Sequence, residues 1–284
     1  MLQSAARQRF IHAVERPESD LSLAEAALYV AQEDSGESGY SSFDAATYLQ
    51  KLDAIAAEIE ADLPSERYPL RVIQTLNQHL FKRLQFHGNT DDYYDPRNSW
   101  LNEVIDRRTG IPITLSLVYL EVAQRLDFPM VGIGMPGHFL IRPDCDAEMA
   151  IYVDPFHHGE ILFQQDCESR LQEIYGQPVQ LSEDLLQPVS KQQFLVRMLT
   201  NLKLIYLNRR ELALALSVID RILLLYPDAL TERRDRGLLA YRLNQSTMAI
   251  ADLTAYLEER PTAKDANLIR QLILELQMSL DSAS

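Results

Sequence analysis

Cysteine is nearly absent: Cys145 and Cys167 are the only two in 284 residues, and they make no CxxC pair. That excludes a disulfide framework and a cysteine zinc site, and it fits a reducing compartment. No run approaches the roughly 18 apolar residues that a membrane span needs, and Met1-Leu2-Gln3-Ser4-Ala5-Ala6-Arg7 lacks the apolar core of a signal peptide. The expected location is the cytoplasm, with no membrane partner. Positive charge is also short, since 27 Lys and Arg against 41 Asp and Glu leave a formal charge of -14. Such a field repels phosphate backbones, so no nucleic acid is expected as a partner. The basic pairs Arg107-Arg108, Arg209-Arg210 and Arg233-Arg234 fit solvated helix surface.

What the chain does contain is apolar periodicity. With 46% hydrophobic and 24% charged residues it can bury a sizeable core and form two or three domains. Residues 1–42 form an acidic, helical first segment: apolar residues recur from Leu21 to Gln32, and Ser35 to Ser42 is a loop. A helix is expected from Phe43 to Leu63, with Leu49, Leu52, Ile55, Ala56 and Ile59 on one stripe, and another from Pro69 to Phe86.

A middle zone, 43–186 with those helices included, holds the candidate chemistry. Asn98 and Ser99 suit the cap of a short helix through Trp100, Leu101, Val104 and Ile105, and Pro112 suits the first turn of the next. From Ile113 to Leu126 the pattern is apolar on nearly every side, which places that helix in the middle of a domain. Strands are expected at Met130–Met135, His138–Arg142 and Ala150–Val153. The fold class is α+β, a central helix on an antiparallel sheet.

Residues 187–284 return to helix and repeat themselves. Pro227 and Pro261 stand 34 residues apart, and at that offset Ala215 aligns with Ala249, Ile219 with Leu253 and Ile222 with Tyr256. Period, small residue and closing proline match the tetratricopeptide pattern, whose helix pairs present a groove to a protein or peptide partner. Gly237 occupies the close-packing position of the second repeat, while the first has Lys203 there. Arg221, Arg234 and Arg242 are candidates to line the groove, and a helix over Lys264–Leu280 would cap the stack.

Several residues admit two readings. His138, after Pro136-Gly137, is either a strand-edge residue bonded to a carboxylate or half of a catalytic pair with Asp154, and Asp154-Pro155 is also a common turn opening. His138, Asp154, His157 and His158 suit a zinc or iron set, but adjacent histidines in a turn point apart and fit a surface better, so neither metal nor cofactor is expected. Tyr94, Arg97, Asn98 and Trp100 either line a ligand groove or fix the loop: Arg97 on an acid, Asn98 as a cap, Trp100 in the core.

The run Tyr93 to Asn102, together with Arg107 to Ser116, Pro136-Gly137-His138-Phe139-Leu140 and Val153-Asp154-Pro155-Phe156, resembles the SirB-type transglutaminase-like proteins. Those bacterial proteins join a transglutaminase-like core of papain-like geometry to C-terminal tetratricopeptide repeats, and the resemblance covers the chain from about Phe43 onward. It implies that active relatives in the superfamily place a cysteine at the start of the central helix, a histidine on the following strand and an aspartate on the next. A thiol there gains from the helix N-terminus and the imidazole, which the carboxylate orients. His138 and Asp154 take two of these positions, but the third falls at Pro112 or Ile113, and neither can attack a carbonyl. Two functions follow as expectations. One is a non-catalytic scaffold that binds a protein or peptide through the repeats or the degenerate cleft. The other is a hydrolase or acyl-transferase using the Thr114 or Ser116 hydroxyl with His138 and Asp154. Cys145, among acids in a loop after the second strand, does not suit a nucleophile.

Overall fold

A computed structural model describes residues 4–37, 39, 42–145, 151–177 and 182–283. The chain divides into two compact units, Met1–Met198 and Leu199–Ser284. No helix of the described residues is long and apolar enough to cross a membrane.

The first unit opens with α1 (Ala5–Val14), capped by the Ser4 hydroxyl, which accepts from the Arg7 amide at 3.0 Å. After it come α2 (Leu23–Glu37) and α3 (Ala45–Glu60), the latter capped by Asp44. The sequence pattern showed no helix at α1, and α2 continues into the segment expected as a loop, of which Ser38, Tyr40 and Ser41 lie outside the described residues. These N-terminal helices belong to the core. The Arg7 Nε donates to Glu33 Oε2 at 2.8 Å inside the protein, and Glu121 on the central helix accepts from the Ala24 amide at 3.1 Å.

The helix expected over Pro69–Phe86 is interrupted. α4 (Pro69–Asn77) passes into a π-helical turn at Gln78–Arg83, and the chain then leaves through Gln85 in the left-handed region, φ 60°. A two-residue parallel ladder pairs β1 (His87–Gly88) with β2 (Thr109–Gly110). Between them lie a 3-10 turn at Pro96–Asn98 and α5 (Leu101–Arg107). Trp100, not Asn98 or Ser99, occupies the cap position of α5 with no side-chain cap hydrogen bond, and the Asn98 side-chain amide donates instead to the Asp92 and Tyr93 carbonyls. Arg107 and Arg108 are half-buried rather than spread on a wet helix face, since Arg108 turns out of the helix at φ 59°.

α6 (Pro112–Arg125) is the central helix that the sequence predicts, with Pro112 at its first position and every residue from Ile111 to Leu120 buried. It packs on a four-stranded antiparallel sheet in the order β3 (Met130–Ile133), β4 (Leu140–Pro143), β5 (Tyr152–Asp154), β6 (Glu160–Leu162). His138 precedes β4 by two residues rather than lying in a strand, and Asp154 ends β5. Ala150, expected in the third strand, lies outside the described residues. β6 and the following α7 (Gln164–Tyr175) escaped the sequence pattern, because three residues are too few for alternation and α7 is strongly polar.

α8 (Lys191–Asn208) spans the division between units. The second unit continues with α9 (Leu212–Leu225), α10 (Leu230–Arg242), α11 (Ser246–Glu259) and α12 (Ala266–Ala283), consecutive helices packing on one another from α9 onward. Ala215 and Ala249 are fully buried, as the repeat pattern requires. A Cβ at Gly237 would stand 2.8 Å from Leu253 Cγ, so only glycine allows α10 this close to α11. Lys203, in the equivalent position, is buried and pairs at 2.7 Å with both Glu232 and Asp235. Arg221 is fully buried and Arg234 pairs with Asp235 and Asp265, so neither serves as a free lining residue; Arg242 remains exposed.

Candidate functional site

The site is held by two turns. Before β4, the His138 amide donates to the Met135 carbonyl at 3.2 Å, and Arg197 of α8 clamps the same turn, donating to the His138 carbonyl at 2.5 Å and to that of Met135. After β5, a 3-10 turn at Pro155–His157 follows Asp154, whose Oδ1 accepts from the Phe156 and His157 amides at 3.1 and 3.2 Å. The turn closes at Gly159, φ 75°, where a Cβ would fall 2.2 Å from Asn77 Oδ1. Asn77 holds it from α4, donating to the Gly159 carbonyl at 2.6 Å.

These turns bring His138 and Asp154 together as the resemblance implies. Asp154 is fully buried, and its Oδ2 lies 2.7 Å from His138 Nε2 and 2.7 Å from His157 Nδ1. An ionised carboxylate only accepts, so both nitrogens carry the proton, and Nδ1 of His138 is the nitrogen left for chemistry. Arg170 stands 3.6 Å from the same oxygen and 2.7 Å from Glu160. Burial would raise the Asp154 pKa, but hydrogen bonds and charge from His138 and then His157 outweigh it and hold the carboxyl below its ordinary range. The ligand atoms of His138, Asp154 and His157 lie within 4.8 Å of one another, a set able to hold a metal ion once the imidazole protons are displaced. His158 is not part of it, since the left-handed turn at φ 58° sends its ring against Phe81.

No nucleophile completes the pair among the described residues. Pro112 and Ile113 are buried at the helix start. The Thr114 hydroxyl is committed to the backbone, donating to the Asn98 carbonyl at 2.7 Å and accepting from the Ile111 amide at 3.1 Å. Ser116 is fully buried, its hydroxyl without a hydrogen-bond partner and therefore not bonded to His138. Cys167 on α7 comes near enough to Asp154 to feel its charge, yet burial, Asp166 and Asp154 push its thiol up to about 12, which removes thiolate at neutral pH. Cys145 is exposed.

The neighbouring aromatic set is split. Asn98 and Trp100 are interior, and Arg97 grips Asp95 through Nε at 2.9 Å. Tyr94 alone of the four is largely exposed, at 60%. The rings that border His138 are Phe156, with centroids 6.2 Å apart, and beyond it Tyr93, 6.3 Å from Phe156. Sequence reasoning grouped His157 with Asp154 only as a possible metal set and favoured a surface position for it, and it missed Arg170 and Arg197. Only the proximity of His157 to Asp154 in the chain was a signal; the arginines arrive from α7 and α8.

Residues 46–200 match the family model of the transglutaminase-like superfamily, and residues 202–273 match a tetratricopeptide repeat model. A UPF0162 protein of Xylella fastidiosa is 34% identical over 90% of this chain and 90% of its own length. A UPF0162 protein of Vibrio cholerae is 31% identical over 78% of this chain and 81% of its own. F-box only protein 21 of Homo sapiens is 36% identical over 56% of this chain, which is 26% of that protein. No solved structure matches the chain. With a superfamily match over more than half its length, relatives along nearly all of it and the repeats that follow, the chain belongs to the SirB-type, UPF0162 family of transglutaminase-like proteins with C-terminal tetratricopeptide repeats.

Proposed function

We propose that this protein is a non-catalytic transglutaminase-like scaffold that binds a protein or peptide partner in the cytoplasm. The observation that carries the reading is the start of α6: a buried Pro112-Ile113 stands where the nucleophile would, and the Thr114 and Ser116 hydroxyls are tied to the backbone or enclosed. A general base needs a proton to take within hydrogen-bond reach, and among the described residues neither the Thr114 nor the Ser116 hydroxyl is bonded to His138. The His138–Asp154–His157 group then serves the fold, locking the two turns that flank β4 and β5. Two free thiols fit a reducing compartment.

Binding falls to the repeats, whose stacked helices create extended surfaces for peptide segments. Leu274 and Met278, one helical turn apart on α12, are 59% and 71% exposed and offer an apolar contact. The test is partner capture with wild type, His138→Ala and the double variant Leu274→Glu, Met278→Glu. Equal recovery by His138→Ala and loss with the double variant support the scaffold. Recovery that depends on His138 and is indifferent to α12 contradicts it.

A further inference from the structure

We propose that a second, separate site binds a phosphate monoester, in the groove between the π-helical turn and the β1–β2 ladder. The groove has a volume of about 710 Å³ and is lined by Lys82, Arg83, His87, Arg107, Arg108 and His158, together with apolar Phe81, Leu84 and Phe86. No carboxylate lines it among the described residues, in a chain whose formal charge is -14. Such a local excess of cations against the overall field concentrates an anionic ligand.

Not all of these cations are free. Arg83 is held by Asp62 at 2.6 Å, and His87 is occupied by the Gln85 carbonyl at 2.9 Å and the Thr109 hydroxyl at 3.2 Å. Arg108 spends one donor on the Leu84 carbonyl at 2.7 Å and lies over the Phe86 ring, leaving the rest of its fork unspent. Arg107 reaches Asp95 only at 3.7 Å, and its Nη1 is shielded from solvent with no hydrogen-bond partner. Lys82 is exposed on the rim.

The backbone around the groove is unusual. Among the described residues, three of the six non-glycine residues with positive φ, Gln85, Arg108 and His158, line this one groove, and Lys82 projects from a π-helical turn. Both features cost stability and gather where a site needs them. Two arginine forks and one ammonium suit a dianion with three equivalent oxygens better than a lone carboxylate. The apolar wall is larger than an inorganic ion needs and fits the organic body of an ester.

Such a group has two sources, a small phosphorylated molecule or a phosphorylated side chain of a partner, and calorimetry separates them. The probes are inorganic phosphate, phenyl phosphate, a short phosphoserine peptide and the same peptide with glutamate in place of phosphoserine. Wild type is compared with Lys82→Gln and with Arg108→Asn, asparagine being chosen because it tolerates the left-handed backbone. The expected result is binding of at least one ester more tightly than inorganic phosphate, weakened about tenfold or more in each variant and falling between about 50 and about 200 mM salt. Preference for phenyl phosphate identifies a small molecule, and preference for the phosphopeptide a modified partner. Circular dichroism confirms that the variants fold, and exposed Lys82 keeps the test decisive if Arg108→Asn does not. Absence of binding by every phosphate probe, affinity unchanged in Lys82→Gln, or a glutamate peptide as tight as the phosphopeptide would overturn the proposal.

Discussion

Replacing Asp154 with alanine should destabilise the first unit heavily while leaving the repeats intact. The carboxylate is fully buried and accepts four hydrogen bonds, two from imidazoles and two from backbone amides. Its removal leaves the buried His138 Nε2 proton and the Phe156 and His157 amides without their acceptor, each unsatisfied buried donor costing about 1–3 kcal/mol. Asp154→Asn keeps the volume and one acceptor oxygen for the backbone, so its cost should be nearer about 1–2 kcal/mol. The pH dependence has a definite sign. The folded pKa of Asp154 is depressed, so its stabilisation is complete above the unfolded value near about 4 and is lost as pH falls through the folded value. The gap between wild type and Asp154→Asn should therefore be full at neutral pH and shrink below about pH 4. Urea unfolding followed by tryptophan fluorescence reads this unit alone, because the single tryptophan, Trp100, is buried within it. A cost below about 1 kcal/mol for Asp154→Ala at neutral pH would refute the structural role assigned to this group.

Other consequences are independent of that one. Thiol reagents at neutral pH should label exposed Cys145 in the folded protein and Cys167 only after denaturation, as intact-mass spectrometry would read; equal labelling would mean that Cys167 is neither buried nor held near a pKa of about 12. Gly237→Val should cost about 2–3 kcal/mol by crowding Leu253, and Gly237→Ala less, since better helix propensity returns up to about 1 kcal/mol. Thermal unfolding followed by circular dichroism checks both, and a Gly237→Val protein that melts with wild type would contradict the close approach of α10 and α11.

The parts of this architecture that were legible in the sequence are those with long periodic signals. The apolar run that became α6, the 34-residue offset joining Ala215 to Ala249 and the pairing of His138 with Asp154 all have counterparts in the structure. What escaped is short, polar or tertiary. β6 is three residues long, α7 is strongly polar apart from buried Cys167 and Leu171, and the π-helical turn looks in sequence like a continuation of α4. Arg197 and Arg170 act on the site from distant helices, which no local pattern announces. Lys203 broke the repeat pattern for a reason visible only in three dimensions, the two acids of α10 that receive its ammonium. Arg107 and Arg108 were indistinguishable from surface charge until Arg108 proved to leave its helix in the left-handed region.

The central claim is that the transglutaminase-like site retains its histidine and aspartate without a nucleophile. Its most direct test is intact-mass and peptide mass spectrometry of wild type and His138→Ala after exposure to serine hydrolase, cysteine hydrolase and acyl-transfer probes. The account predicts no adduct on Thr114, Ser116 or Cys167 in either protein, with any labelling confined to exposed Cys145 and unchanged by the mutation. An adduct on Thr114 or Ser116 in wild type that disappears in His138→Ala would contradict it and make the protein an enzyme with a hydroxyl nucleophile.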